Sequence, residues 1–389
     1  MTTIYDQRYI KLVERLIEIR QEVQFTQVDL ALSLALDQST VSKVENFDRR
    51  LDVIELFDWL KALGYSPKKF LHDIGWLDQE TNNGIPALPV PGKAEPFIED
   101  GIVKGTIIEM AWRGQRKDVV IEGLPVQDYL AMEVHIASMF KALNTSTNSK
   151  SREVIAYALQ GAISSHPDVN PSDIYHHIIY RLYLREYNRT QADRSWVRAG
   201  GEAIELFLEK HYNSVLQNHG ICLVWLSSDP KRASALSEMG IQDMVGESKL
   251  DIALYGRLED ELVLFGGIHV KASLAERVTD DVPCSRAMME KGYASYLLTF
   301  DAKSYPPPTG DLVNYGEFGT LNEPSNKRDY IESHGDFSAC FCYNTRTVPS
   351  APSTKSGKKI LVSTFSPGKD QLPKEVVRAW KQFRSLRSF

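Results

Sequence analysis

Apolar residues recur at three- and four-residue spacing from Met1 to about Trp76, with no strand-like alternation, which predicts a run of short helices. The periodicity then stops. From Leu77 to Glu99 the chain holds four prolines and two glycines and reads as a linker. Val103–Gly123 predicts two strands around the polar turn Arg113-Gly114-Gln115-Arg116, a hairpin. Helical spacing returns from Gln127 to about Gly220, broken at Asn144–Asn148 and at the Pro167/Pro171 turn. After Ile221 the period changes again. ICLVWL, KLDIALYG, ELVLFGGIHVKAS, ASYLLTF, FSACFCYN and KILVSTF are short β-branched and aromatic runs, with a helix near Ser285–Gly292. Runs apolar on both faces, such as Leu262–Val270, predict an α/β sheet covered by helices. PKEVVRAWKQFRSLR closes the chain as an amphipathic helix, and no internal repeat is found.

The expected organisation is therefore an all-α domain over 1–77, a linker and small hairpin over 78–124, and an α/β domain over 125–389. A length of 389 residues accommodates this, and 43% apolar with 25% charged residues excludes a mostly disordered chain. No apolar run is long enough to span a bilayer, and MTTIYDQRYIKLVERL lacks a signal-peptide core, so a cytoplasmic location is expected. Cys222, Cys284, Cys340 and Cys342 are too few for a disulfide scaffold and fit a reducing compartment. The net charge of −6 hides an asymmetry: Tyr343–Phe389 carries ten Lys and Arg against Asp370 and Glu375. Such an end either follows a phosphate backbone or is a solvated basic tail.

Phe25–Gly64 carries the first motif. Gln27–Leu34 supplies a helix with Ala31 as the small contact, Ala35-Leu36-Asp37 a tight turn, and Gln38–Glu45 a second helix. Val41 and Val44 are expected inside; Gln38, Ser39, Thr40, Ser42 and Lys43 are expected outside, where their hydrogen-bonding groups suit base edges and phosphates. With Gln27, Glu45 and the following LDVIELFDWLKALG helix, the segment resembles the Cro/repressor type of helix-turn-helix. Ala35 departs from the turn glycine usual in that family, so the turn is expected to be slightly strained. Ten Lys and Arg against twelve acids in Met1–Gly75 imply weak affinity for an isolated copy.

The second motif lies across the two strand runs around GRLEDE. Hydrolysis of a phosphodiester through a metal needs oxygen ligands for a hard cation and a positive group near the phosphate. Asp251 opens one strand and Lys271 closes the next, twenty residues later. Upstream, the helix SWVRAGGEAIELFLEKHYNSVL carries Glu205 and Glu202, three apart and not separable by spacing. Downstream stand Ala275, Glu276 and Arg277. Together these residues resemble the PD-(D/E)XK nuclease superfamily, in particular the type II restriction endonucleases that read CCGG or CCNGG cores. The resemblance implies a mixed sheet flanked by helices, Mg²⁺ held by Asp251 and Glu205, and Lys271 acting on the phosphate. It also implies that Glu276 and Arg277 read bases, and that the target is double-stranded DNA, palindromic, cut by a homodimer. Two departures stand out. Ala275 replaces a common arginine, and His269 occupies the position of the motif's second acid. That acid must then come from elsewhere, Glu205 or Glu290, while His269 is either an inward sheet residue or a support for catalysis. SYPPPTGDLVNYGEFG also looks like a continuation of such enzymes, with no role assigned.

Other features are read as structural. Cys340 and Cys342 fall on one strand face and have no second pair at zinc spacing. His176-His177 is expected to pack within a helix, and Gly200-Gly201 to start one. The expected protein is a restriction endonuclease fused to an N-terminal helix-turn-helix. The rival is a transcriptional regulator whose C-terminal half senses a ligand or mediates oligomerisation.

Overall fold

The N-terminal periodicity folds into five short helices: α1 (Gln7–Glu22), α2 (Gln27–Ser33), α3 (Gln38–Glu45), α4 (Val53–Ala62) and α5 (Pro67–Asp73). Thr26 with Asp29, and Asp52 with Glu55, form capping boxes that fix the starts of α2 and α4. Val13, Leu16, Leu30, Ala31, Val41, Val44 and Trp59 share one core, so the apolar stripes close on one another. Ala35 lies at φ +54, as the missing turn glycine implied. This computed structural model describes residues 7–74, 87–112, 114–145, 150–187, 192–245, 250–274, 278–303 and 312–387. The chain divides into two units, Met1–Gly84 and Ile85–Phe389.

The second unit opens on a three-stranded antiparallel sheet of β1 (Leu88–Glu99), β2 (Ile102–Trp112) and β3 (Gln115–Glu122), with β2 in the middle. β2 and β3 are the expected hairpin. β1 was not expected: its prolines read as a linker. An edge strand needs donors along one side only, and the register breaks between Pro89 and Ala94, so the prolines are tolerated. Arg181 Nη1 donates to Ala87 O at 2.5 Å, Arg185 Nη1 to Pro89 O at 3.0 Å and the Gly92 N–H to Glu133 Oε2 at 3.1 Å, which ties this strand to the helices that follow.

Those helices are α6 (Val126–Leu143), α7 (Ser151–Ser165), α8 (Pro171–Asp173), α9 (Arg181–Glu186) and the long α10 (Ala192–Leu216). A π-helical segment, Ile174–Tyr180, joins α8 to α9 and carries His176 and His177, both packed against neighbouring rings. Gly200 does not begin a helix. It sits inside α10, where a Cβ would lie 2.7 Å from the Tyr175 hydroxyl and 2.8 Å from the Trp196 ring.

The six predicted strand runs form one sheet in chain order: β4 (Ile221–Trp225), β5 (Ile252–Leu258), β6 (Glu261–Lys271), β7 (Ala294–Thr299), β8 (Ala339–Cys342) and β9 (Ile360–Val362). β4, β5 and β6 pair antiparallel; β6 through β9 are parallel. Between them lie α11 (Asp229–Met239), α12 (Val278–Glu290) and α13 (Asn326–Glu332), and α14 (Leu372–Leu386) ends the chain. α12 starts earlier than the helix expected near Ser285. One face buries Phe265, Tyr296 and Phe341 with Trp380 and Phe383 of α14. The other buries Leu297, Cys340, Cys342 and Ile360 with Val278 and Val282 of α12 and Ile331 of α13. The two cysteines are thus core thiols. Among the described residues no helix is long and apolar enough to cross a membrane.

Candidate active site

The register of β5 and β6 brings the two ends of the second motif together. A shift between Leu254 and Tyr255 bulges β6 at Phe265, and Gly267 follows where a Cβ would lie 2.6 Å from Leu250. Beyond the bulge the alternation puts His269 and Lys271 on one face of β6. Asp251, buried just before β5, donates its N–H to Ile268 O, and its Oδ2 accepts the Val270 N–H at 2.7 Å. Lys271 Nζ lies 3.4 Å from the same oxygen. Burial pushes the Asp251 carboxyl upward, and the Lys271 ammonium opposes this.

A third charged group completes the cluster. Asp281, wholly buried on α12, stands 2.9 Å from Lys271 Nζ, and its other oxygen 3.9 Å from His269 Nδ1. Lys271 is thereby held between two carboxylates. Burial alone would depress its ammonium, and the two acids outweigh that and raise it. Asp281 was not anticipated. A carboxylate ten residues past the lysine, in the first turn of the next helix, was the available signal. His269 is fully buried and meets Phe337 edge-on, an inward sheet residue that also borders Asp281.

The glutamates separate clearly. Glu202 is bound at 2.8 Å by both Arg152 and Arg198. Glu205, half-buried one turn along α10, accepts Trp225 Nε1 at 2.6 Å. Burial pushes its carboxyl up to about 8, reinforced by the negative charge of Asp251. Glu209, a further turn on, accepts the Trp225 N–H at 2.9 Å, so this helix face is anchored to the end of β4. Glu290 is exposed at the far end of α12, roughly 13 Å along the helix from Asp281.

A chain with this arrangement has close relatives. The family model described as BsaWI restriction endonuclease type 2 matches residues 228–367, and a helix-turn-helix model matches residues 16–70. The type II restriction enzyme AgeI of Thalassovita gelatinovora is 47% identical over 265 residues, covering 67% of this chain and 94% of that enzyme. The chain belongs to the type II restriction endonucleases. A crystal structure of the specific restriction endonuclease AgeI bound to DNA superposes with a TM-score of 0.65 at 44% identity, covering 70% of this chain and 99% of that one. The endonuclease cuts DNA site-specifically and carries an additional helix-turn-helix, and the regulator reading with a non-catalytic C-terminal half is overturned by the AgeI match.

Enzymes of this type generally use a divalent metal ion. Among the described residues no three His, Cys, Asp or Glu side chains converge as a ready-made cage. The donor set nonetheless fits a hard cation: Asp251 and Glu205 are oxygen donors whose charges oppose each other, and a cation relieves that repulsion. Small hard cations are commonly held by one or two carboxylates, with water and phosphate oxygens filling the remaining positions.

The proposed base-reading residues Glu276 and Arg277 lie outside the described residues, as does Ala275. In the helix-turn-helix, Gln38, Ser39 and Lys43 are exposed, and Thr40 and Ser42 half-buried. Gln38 Nε2 donates to Gln27 Oε1 at 2.7 Å, and Gln27 Nε2 to Glu45 Oε2 at 2.9 Å. Arg20 closes on the same Glu45 carboxylate at 2.7 and 2.8 Å, so the first residue of α3 is held by a chain of bonds reaching α1. The basic C-terminal segment is only partly α14, where Lys374, Arg378, Lys381 and Arg384 are exposed while Val376, Trp380 and Phe383 are buried; upstream, Arg346 is paired with Asp173 and Lys369 with Asp168.

Proposed function

We propose that the endonuclease hydrolyses phosphodiesters with Mg²⁺ at a palindromic site with a CCGG- or CCNGG-like core, acting as a homodimer in the cytoplasm. The observation that carries the site assignment is Lys271 Nζ, 3.4 Å from Asp251 Oδ2 at the shared end of β5 and β6 and within a buried carboxylate cluster. Asp251 and Glu205 hold the metal. When bound, Mg²⁺ neutralises phosphate charge and makes water more acidic. Lys271 stabilises the negative charge that develops on the scissile phosphate, and Asp281 keeps its ammonium charged and aimed. Arg277 pairs with guanine and Glu276 accepts from cytosine in the major groove. A palindrome cut on both strands needs two such sites related by a twofold axis, hence the dimer. Gln27, Gln38, Ser39, Thr40, Ser42 and Lys43 contact a second DNA element or the enzyme's own promoter.

Asp251→Ala and Lys271→Ala test this reading. Each should reduce Mg²⁺-dependent cleavage by several orders of magnitude while specific binding in Ca²⁺ persists, since both act at the phosphate rather than at base edges. Near wild-type cutting by either variant would refute the assignment.

A further inference from the structure

The segment Asn314–Phe318 has no place in the chemistry so far. Yet Glu317 is almost wholly buried, and its carboxylate reaches across to the exit of β6. Oε2 accepts a short hydrogen bond from the Leu274 N–H, and Oε1 is ion-paired with Lys327 at 2.9 Å. The Glu317 N–H donates to Asp301 Oδ1 at 2.6 Å, and the other Asp301 oxygen accepts the Thr347 hydroxyl at 2.5 Å. Leu274 itself is fully buried and shares a core with Phe318, Ile331 and Phe337.

This anchor sits at a decisive point of the chain. Through Ala272 the backbone is held by its neighbour: Phe300 N–H donates to Lys271 O and Ala302 N–H to Ala272 O. The β6–β7 ladder then ends, and the chain must pass Glu276 and Arg277 before α12 returns with Asp281. Leu274 lies three residues after Lys271 and three before Arg277. A charge-assisted bond from a rigid, buried carboxylate fixes that backbone more firmly than a neutral contact could. A shift there would move the following side chains relative to Lys271, and a small misplacement is enough to spoil alignment at a reacting or reading group.

We propose that Glu317 is a positioning residue for sequence readout: by fixing the Leu274 backbone at the exit of β6, it fixes the point, relative to Lys271, from which the chain continues to Glu276 and Arg277. The proposal rests on the functional reading above, and it assigns a role to the NYGEFG stretch. The test uses the full-length enzyme and compares kcat/KM on the cognate duplex, identified from fragment ends, with duplexes altered at one base pair. Glu317→Ala should lower the cognate-to-altered ratio at least tenfold. Glu317→Gln, whose carbonyl can still accept the Leu274 N–H, should recover most of it. In the Glu317→Ala/Arg277→Ala double variant the two losses should be less than multiplicative. If Glu317→Ala does not fold, Lys327→Met is measured instead and should lower the ratio about threefold by freeing the carboxylate from its partner. A ratio unchanged in the folded Glu317→Ala or Lys327→Met variant overturns the proposal, even if both duplexes are cut more slowly. A ratio that falls with Glu317→Ala but not with Arg277→Ala upholds positioning and refutes Arg277 as the reader.

Discussion

Replacing Asp281 by asparagine isolates the role of the second carboxylate at Lys271. The amide keeps the shape and one oxygen acceptor but removes a negative charge from a fully buried site 2.9 Å from Nζ. Breaking a buried ion pair outright costs about 3–5 kcal/mol. Here Lys271 keeps Asp251 at 3.4 Å and the amide oxygen still accepts, so a loss of about 1–3 kcal/mol is expected. The catalytic cost has a different origin. With one carboxylate gone, Nζ is drawn toward Asp251 and away from the phosphate, and a displacement on the order of 1 Å costs roughly 100-fold in rate. Single-turnover cleavage in Mg²⁺ gives the second quantity and urea unfolding the first, with binding in Ca²⁺ as the control. Asp281→Asn should cut about 10- to 100-fold more slowly, bind its site normally and unfold at lower urea. A variant that cuts within twofold of wild type would refute the claim that Asp281 holds the lysine, whatever its stability.

Glu205→Gln should change the pH dependence of stability in metal-free enzyme. With the carboxyl raised to about 8, the folded state retains a proton that the unfolded chain has lost above its ordinary value of 4.5, so this group's contribution falls as pH rises toward 8. The variant should gain on wild type by up to ~1.4 kcal/mol per pH unit between pH 6 and 8, read from urea midpoints, and a constant difference would contradict a carboxyl raised by burial and by the charge of Asp251. Ala35→Gly should stabilise the Met1–Gly84 unit by about 0.5–1 kcal/mol, since φ +54 is strained for alanine and free for glycine, and a lower melting temperature would refute this. A chain beginning at Ile85 should fold and cut a short duplex bearing only the cleavage site, losing extra binding to DNA that also carries the second element; inability to cut would show that the helix-turn-helix serves the cutting site. A chain beginning at Asp100 should melt lower, because it also removes β1 and its bonds to Arg181, Arg185 and Glu133, and equal melting of the two truncations would refute a structural role for β1.

Periodicity made most of the fold legible because each element's burial pattern follows its own geometry. The helix-turn-helix closed with Val41 and Val44 inside and Gln38, Ser39 and Lys43 outside, while Thr40 and Ser42, expected outside, are half-buried. The six strand runs could be found because a sheet covered on both faces leaves long apolar stretches. β1 escaped for the complementary reason. An edge strand with few buried side chains has no alternation to show, and its prolines say only that no partner lies on one side. Whether Leu88–Glu99 pairs at all depended on β2 and on arginines about ninety residues further along the chain.

The candidate site divides along the same line. Asp251 and Lys271 were readable because both belong to one hairpin, where sequence separation sets spatial separation. Choosing Glu205 over Glu202 needed the rotation of α10 against β4. Three residues turn a helix by roughly 300°, which points one carboxylate at Arg152 and the other at Trp225. Asp281 shows the limit most clearly. A motif read along one strand looks two residues before the lysine for its acid and finds His269, a side chain directed into the core beside Phe337. The carboxylate beside Lys271 arrives instead from the next helix. The first turn of that helix meets the strand end through Asp281, 2.9 Å from Lys271 Nζ. Such a site is defined by where charges meet in space. An acid supplied by α12 can occupy that place without standing in the motif, provided that burial is balanced by the ammonium it faces.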